Sequence, residues 1–451
     1  MNFTQSNKNI LPMKIAIIGT GIAGMSAAWL LSKQHQITVY EQQVRIGGHS
    51  NTVETSIDGI VTPVDTGFIV YNDRNYPNLI ALFDTLGVKT KASEMSFSVS
   101  LNNGNLEYSG TSINGLLGQR RNIIRPRFWQ MISGVMRFYR EAPELLKEPM
   151  RVDYSLGQYL FENNYSKDFI NDHLLPMGAA IWSTSPSEIE AYPAQAFVRF
   201  FESHGLLLLK NRPNWRTVDG GSKEYVKKIT ESFADCIKFG GVRSVQRENE
   251  QITIVDHANE AKSFDHVVIA THADEAFQLL SDSDEKEKKL LGSWRYTQNR
   301  AVLHTDRSFM PIRKRTWSSW NFIERQKNNA SNNLCVTYWM NRLQSLDHTT
   351  SLFVTLNPTH EPSEKSIIQE FDYTHPFFDQ AALISQQNLW SLQGHRRTWY
   401  CGSYFGYGFH EDGLQSGLAV AEQLGGQKRP WKVANENERL HLQNNALGTT
   451  E

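Results

Sequence analysis

The chain has 451 residues, with 46 Lys and Arg against 47 Asp and Glu, a net charge of −1. That balance sets up no global field for nucleic acid. A hydrophobic content of 40% with 21% charged residues describes a globular chain long enough for two domains. Its three cysteines, Cys236, Cys335 and Cys401, lie far apart with no CxxC pair, which excludes dithiol or Cys-based metal chemistry and fits a reducing, cytoplasmic compartment.

Residues 1–11 are polar and read as a flexible tail without the apolar core of a secretion leader. No apolar run approaches the ~18 residues of a spanning helix. The expectation is a soluble protein, or at most a peripheral one on the inner face of a membrane. From Ile15 the chain runs through a β-prone apolar stretch into Gly19, Gly21 and Gly24 at GxGxxG spacing, then a small, Ala-rich helical segment. Glycines at a strand-to-helix turn let backbone approach a pyrophosphate, and the helix N-terminus offers it unpaired N–H groups. A second strand ends at Glu41, 17 residues past Gly24, close to the ~20 expected for a carboxylate that holds a ribose hydroxyl. This context predicts a dinucleotide site.

Two loops rich in Gly, His and Asn follow, Arg45 to Glu54 and Val64 to Asn72, either touching a ligand or simply turning the chain. From Tyr76 to about Leu209 the pattern is helical and aromatic, starting with the amphipathic PNLIALFDTLGV. Gln119 to Arg140 combines Arg120, Arg121, Arg125, Arg127, Arg137 and Arg140 with Ile, Phe, Trp and Met. Such a stretch either lies on an anionic bilayer or forms a helix with an arginine-rich wet face. A strand and meander return from Cys236 and end in the buried strand VVIATHA. A mixed region covers about Ser293 to Gly394, and a last strand, Gly-rich loop and small-residue helix begin at Thr398. Beyond Gly426 the polar, Asn-rich composition reads as a second tail. The expected division is 12–75, 210–290 and 395–425 for a nucleotide domain, 76–209 and 291–394 for a substrate domain.

These segments together resemble the glutathione-reductase-type FAD fold in its amine oxidase and phytoene desaturase branch, over roughly residues 13–425. The resemblance is carried by GTGIAG, by Glu41, by the Arg45 to His49 loop, by DTGFIVYN, by VVIATHA and by the closing CGSYFGYGFHEDGLQSG. It implies an α/β chain with a Rossmann-like FAD-binding domain and an inserted mixed α+β substrate domain. The cofactor would lie against Gly19, Gly21, Ile22, Ala23 and Gly24, then Glu41, Gln42, Arg45, Gly47, Gly48 and His49, then Thr66, Gly67 and Phe68. Val242 would contact adenine, with Ala270 and Thr271 nearby. Gly402, Glu411, Asp412, Gly413 and Gly417 would aim a helix dipole at the flavin, where charge collects on reduction. The alternative for Glu411 and Asp412 is a capping carboxylate at an ordinary helix start.

The segments PMGAAIWSTSP, LHTDRSFMP and RTWSSWNF are similar to bacterial flavoproteins whose genes accompany cyclopropane-fatty-acid synthases. That likeness implies a lipid or other small-molecule substrate and a lipid-modifying methyltransferase partner. Cys401 directly precedes Gly402 instead of lying well upstream of the glycine motif, so the expectation is noncovalent FAD. No second nucleotide turn is present, which makes the substrate the electron source and dioxygen or a quinone the acceptor.

Amine oxidases of the family commonly carry a lysine in the strand that here reads Asn299 to Asp306, and none occurs there. His304 is the titratable candidate in that strand, either catalytic or simply hydrogen-bonded. His49 and His410 could donate to the cofactor, and Tyr71, Trp182, Tyr404 and Tyr407 wall a cavity or fill the core. No metal spacing and no GxSxG are present. The expected activity is removal of hydride from a long apolar substrate by an acyl lipid desaturase or dehydrogenase. The alternatives are a flavin amine oxidase, a redox-neutral isomerase, or a noncatalytic FAD-binding partner of a methyltransferase.

Overall fold

The computed structural model describes residues 11–57, 59–248, 250–325 and 335–442. The segment Lys14–Ile18, all but its first residue buried, is the middle strand of a five-stranded sheet in the order Ile237–Phe239, Gln36–Glu41, Lys14–Ile18, His266–Ile269, Thr398–Tyr400. Every pairing in it is parallel, which requires crossover connections and lets helices cover both faces. The first crossover is the helix Ile22–Leu31, buried along its whole length because Ala, Gly and Ser dominate its N-terminal half.

A seven-stranded mixed sheet builds the second layer system, in the order Ile367–Phe377, Arg295–His304, Phe353–Leu356, Val336–Trp339, Trp320–Ile323, Phe97–Leu101, Leu106–Ser109. Its strands come from sequence on both sides of the nucleotide-sheet segments, and Phe97–Leu101, next to the edge strand Leu106–Ser109, is joined in parallel to Trp320–Ile323. Helices between residues 113 and 203 pack beside it, among them Pro126–Glu141 and Ala194–Ser203. The expected meander is present as Val242–Glu248, Gln251–Asp256 and Ala261–Phe264. No helix among the described residues is long and apolar enough to cross a membrane.

The closing helix His410–Gln423 lies against Ile22–Leu31, so segments far apart in the sequence meet. Gly417 makes this approach: a Cβ there would collide with the Ala23 carbonyl and the Ser26 hydroxyl.

Two sequence expectations are corrected here. Residues 1–10 and 443–451, expected as flexible tails, lie outside the described residues, but 427–442 are built into the fold. Trp431 stacks on Trp29 with centroids 5.9 Å apart, Arg429 pairs with Glu422 at 2.8 Å, and Arg439 pairs with Asp412 at 2.9 Å. The stretch 119–140 is not one amphipathic helix. Pro126 forces Arg125 into an extended conformation, leaving a 3₁₀ turn, Arg120–Ile124, before the helix Pro126–Glu141. The apolar side of that helix, Phe128, Met131, Gly134 and Phe138, faces inward.

Candidate active site

Four neighbouring parallel strands end at one edge of the sheet, and Gly19, Glu41, Ala270 and Gly402 stand at or just beyond their carboxyl ends. Ligands of open parallel sheets bind at such an edge, where the strand order reverses. A cavity of about 1030 Å³ opens there and continues toward the seven-stranded sheet. It lies at the upper end of the ~300–1,000 Å³ usual for one small ligand.

Gly19 turns the chain with φ of 103°, and a Cβ on it would strike the Ala270 carbonyl. Gly21, the residue preceding the first helix, has no side-chain cap and open space where a Cβ would stand. The amides of the first helical turn therefore face the cavity unobstructed, which suits a pyrophosphate. Glu41 reaches back over the turn: Oε2 accepts from the Thr20 N–H at 3.1 Å and from the Thr20 hydroxyl, and Oε1 accepts from the Gln43 N–H at 2.8 Å. Arg45 is fixed at the edge by donating to the Gly48 carbonyl at 2.7 Å. Ile22, Ala23, Gln42, His49, Thr66, Gly67, Phe68, Val242, Thr271, Gly402 and Gly413 also line the cavity.

Five other sequence candidates do not. A Cβ on Gly24 would overlap the Gly19 carbonyl, so this glycine lets the helix sit on the turn, and Gly47 packs against Ser50 and Val226. Gly417 serves the helix contact already described. Glu411 accepts from the Asn78 and Leu79 amides at 3.0 and 2.9 Å, capping the distant helix Pro77–Leu86. Asp412 accepts from the Phe409 N–H at 2.7 Å and pairs with Arg439. Asp412 thus caps the start of its own helix, whereas Glu411 caps a different one.

His304 is likewise corrected. It is fully buried at the far end of Arg295–His304, with Nε2 2.7 Å from the Thr355 hydroxyl and Nδ1 accepting from the Asp306 N–H, and it does not line the cavity. Tyr71 packs in the core against Tyr76 and Phe83, whereas Trp182, Tyr404 and Tyr407 do line the cavity. Cys401 is buried and faces away from it.

A group of histidines borders the same space. His49 stacks on Tyr373 with centroids 5.3 Å apart, and lies 5.5 Å from His375 and 6.2 Å from His272 by the same measure. His410 stacks on Phe68 at 3.8 Å and meets the Tyr225 hydroxyl at 2.7 Å. Burial holds all of these rings neutral: His375 is pushed down to about 4 and His410 to about 3, while His49 falls well below the usual range through burial and then through His375 and His272. His204 and His375 carry no local sequence signal, whereas His272 lies in the VVIATHA stretch. His375 is placed by the register that sets it opposite Thr297, where Asn299 donates to its Nδ1 at 3.1 Å.

Beyond the histidines the walls are Met95, Phe97, Met177, Ala180, Ile181, Trp182, Trp320, Tyr338, Leu356 and Phe371. Among the described residues, no lysine lines the cavity. Several buried polar atoms on the cavity wall have no protein partner: His49 Nε2, His204 Nε2, the Trp182 and Trp320 indole N–H groups and the Tyr404 hydroxyl. Buried polar atoms in native proteins are nearly always satisfied, so these point to a resident polar ligand. An uncapped helix start, a carboxylate at the end of the second strand and unpartnered buried polar atoms around one cavity fit FAD.

Solved structures of the same fold include a redesigned triple variant of putrescine oxidase (TM-score 0.65, 15% identity, covering 92% of this chain and 98% of that one). Cyclohexylamine oxidase from Brevibacterium oxydans IH-35A gives a TM-score of 0.62 at 14% identity, covering 92% and 99%. A CLA-producing fatty acid isomerase from P. acnes gives a TM-score of 0.63 at 14% identity, covering 91% and 98%. Among curated sequences, an L-amino-acid oxidase from Pseudechis australis is 41% identical over 49 residues, a match that spans only 11% of this chain and 10% of that oxidase. A family model for flavin containing amine oxidoreductase matches residues 22–424, and with the fold and site above it places the chain in that family as an FAD-dependent oxidoreductase.

Proposed function

We propose that this enzyme dehydrogenates a long apolar substrate, an acyl lipid, by removing a hydride and a neighbouring proton to leave a C=C bond. The observation that carries this reading is the apolar wall of Met95, Phe97, Met177, Ala180, Ile181, Trp182, Trp320, Tyr338, Leu356 and Phe371, in a cavity that no lysine lines among the described residues. Of the cavity's carboxylates, Glu41 is taken up by Thr20 and Gln43, and Glu275 and Asp372 are exposed. An ammonium group taken between those apolar side chains would lose its hydration. Bound FAD supplies the two-electron acceptor, and dioxygen or a quinone takes the electrons onward. No cysteine lines the cavity among the described residues, in keeping with noncovalent FAD.

The chain's own part is to exclude water, align the substrate and accept the proton. His204 is placed for the last task. Its Nδ1–H donates to the Phe200 carbonyl at 3.0 Å, which leaves the Nε2 lone pair buried, unpartnered and on the cavity wall. Burial pushes this ring down to about 3; a weak base suffices where the neighbouring carbon carries developing positive charge. The seven-stranded sheet and the helices of 76–209 and 291–394 form the substrate side in this reading, and the glycine turn with its parallel sheet forms the cofactor side.

The test is anaerobic incubation of the holoenzyme with a total bacterial lipid extract, following the visible flavin absorbance and the mass of the lipid products. Bleaching with a product two hydrogens lighter is expected, and His204→Gln should slow bleaching by at least ~10-fold without loss of FAD. Bleaching by primary amines and not by lipid overturns the reading. The likeness to a fatty acid isomerase favours one second reading, a redox-neutral shift of a double bond, which would give a product of unchanged mass and no net bleaching.

A further inference from the structure

We infer that the face built by the turn and helix Ile113–Ile124 together with Ile312–Arg315 docks on an anionic phospholipid bilayer. The chain as a whole is nearly neutral, yet two stretches, 109–140 and 307–323, contain no Asp or Glu at all. They meet in space: the short helix Ile113–Leu116 packs on the turn Lys314–Thr316, and Gly118 lies against Thr316 and the Arg315 stem.

The cations there are held in place without being neutralised. Arg120 donates to the Leu117 carbonyl at 3.1 Å and to Asn114 Oδ1 at 2.7 Å; Arg121 and Arg125 both donate to the Asn105 carbonyl at 2.7 Å. All of these acceptors are uncharged. Among the described residues, Arg120, Arg121, Arg125, Lys314 and Arg315 make no ion pair, in contrast to Arg127, Arg137, Arg140 and Arg313, which bond to Asp172, Glu141, Glu141 and Glu107. Burial and the neighbouring Arg121, Arg313 and Arg127 lower the Arg125 guanidinium, the mark of an uncompensated positive field.

Large apolar side chains stand out of the same face. Ile113 is 78% exposed, Ile124 82% and Ile312 73%, with Ile123 and Trp129 half exposed beside them. Fixed cations with protruding aliphatic and indole groups match a bilayer, which offers anionic headgroups above acyl chains. A nucleic acid would engage the guanidinium groups but leave the isoleucines wet. A second copy of this face would set cation against cation. The face also adjoins the apolar end of the cavity: the carbonyl of cavity-lining Phe97 accepts from the Gly110 N–H at 3.0 Å, three residues before Ile113.

Flotation of the FAD-loaded full-length protein with phosphatidylglycerol-rich vesicles, compared with pure phosphatidylcholine vesicles, tests this. No turnover is required, so failure of the substrate reading leaves the readout intact. Binding to the anionic vesicles alone is expected, reduced by added salt. The triple variant Arg120→Glu, Arg121→Glu, Arg125→Glu should weaken it on the order of 100-fold, from about five-fold per cation lost. Ile124→Asp, at a side chain largely in solvent, should weaken it by at least ~10-fold with an unchanged melting temperature and flavin content. Absence of binding to anionic vesicles overturns the inference, as does equal binding by wild type and both variants. Tight binding of duplex DNA or RNA that Ile124→Asp leaves untouched overturns it in favour of a nucleic acid.

Discussion

Glu41 shows how much a single side chain can be asked to do at the glycine turn. Three donors from Thr20 and Gln43 hold its carboxylate at the end of its strand, and an ionised carboxylate has capacity to accept more. The remaining lone pairs are the ones a ribose diol would use. A hydrogen bond to a charged group contributes ~1.5–3 kcal/mol, so Glu41→Ala should raise the FAD dissociation constant about 10- to 100-fold, read by flavin fluorescence titration of the apoprotein. An unchanged constant with a lowered melting temperature would reduce Glu41 to a staple of the turn. The chemistry of this corner was legible in the sequence because spacing along one short stretch sets it. Residues whose partners lie far away in the chain were not. Glu411 and Asp412 sit in a Gly-rich loop that looks cofactor-facing, but their acceptor groups turn to Asn78, Leu79 and Arg439. His304 and His375 occupy paired strands, and only the pairing tells that one ends beside Thr355 and the other in the cavity.

Among the elements, the segment following the closing helix departs most from its composition. Its Asn-rich sequence lacks the apolar periodicity of a helix or strand, and it holds on by individual polar contacts and one Trp pair, which no pattern reveals. Arg439 is the main anchor. Its side chain is 9% exposed and Asp412 is fully buried; Arg439 also donates to the Asn75 carbonyl. Burial lowers the Arg439 guanidinium while Asp412 and then Glu411 raise it, with the net shift upward, so the arginine stays charged. Removing one partner of a buried ion pair typically costs about 3–5 kcal/mol, because a charge is left without compensation. Arg439→Met, or truncation after Gly426, should therefore lower the melting temperature by about 3–5 °C, at ~2.1 cal/mol/K of unfolding entropy per residue, and Asp412→Asn should restore part of the loss in the Arg439→Met background. A wild-type melting curve for Arg439→Met would return the segment to the status of a tail. Elements whose evidence is local, such as the strand Lys14–Ile18 and the helix Pro77–Leu86, follow directly from apolar pattern and Pro placement.

At the scale of the molecule, folding has taken several histidines out of water, His204, His375 and His410 on the cavity wall and His173 against Tyr108 and Phe169. His173, His204, His375 and His410 are each pushed down to between about 3 and 4, with burial the largest cause. In the unfolded chain a histidine titrates near ~6.5. Between pH 6.5 and 4, then, the unfolded state binds protons that the folded state refuses, and stability must rise with pH across that window. The contribution is complete above about pH 6.5 and is lost as the pH falls toward 4. Asp65 works in the other direction: buried against Thr52, Ser222 and Gln344, it is raised to about 6, so the folded state holds its proton where the unfolded chain has released it. One carboxylate moved from 3.8 to about 6 cannot offset four rings moved from 6.5 to about 3 or 4, at ~1.4 kcal/mol for each pKa step of one. The melting temperature should stay level from pH 8.5 to 7, then decline steeply between pH 6.5 and 4.5, with net proton uptake on unfolding when calorimetry is repeated in buffers of different ionisation enthalpy. A melting temperature that holds steady down to pH 4.5, or protons released on unfolding in that range, would mean that the histidine rings meet water or carboxylates in the folded protein, contrary to the arrangement of the cavity.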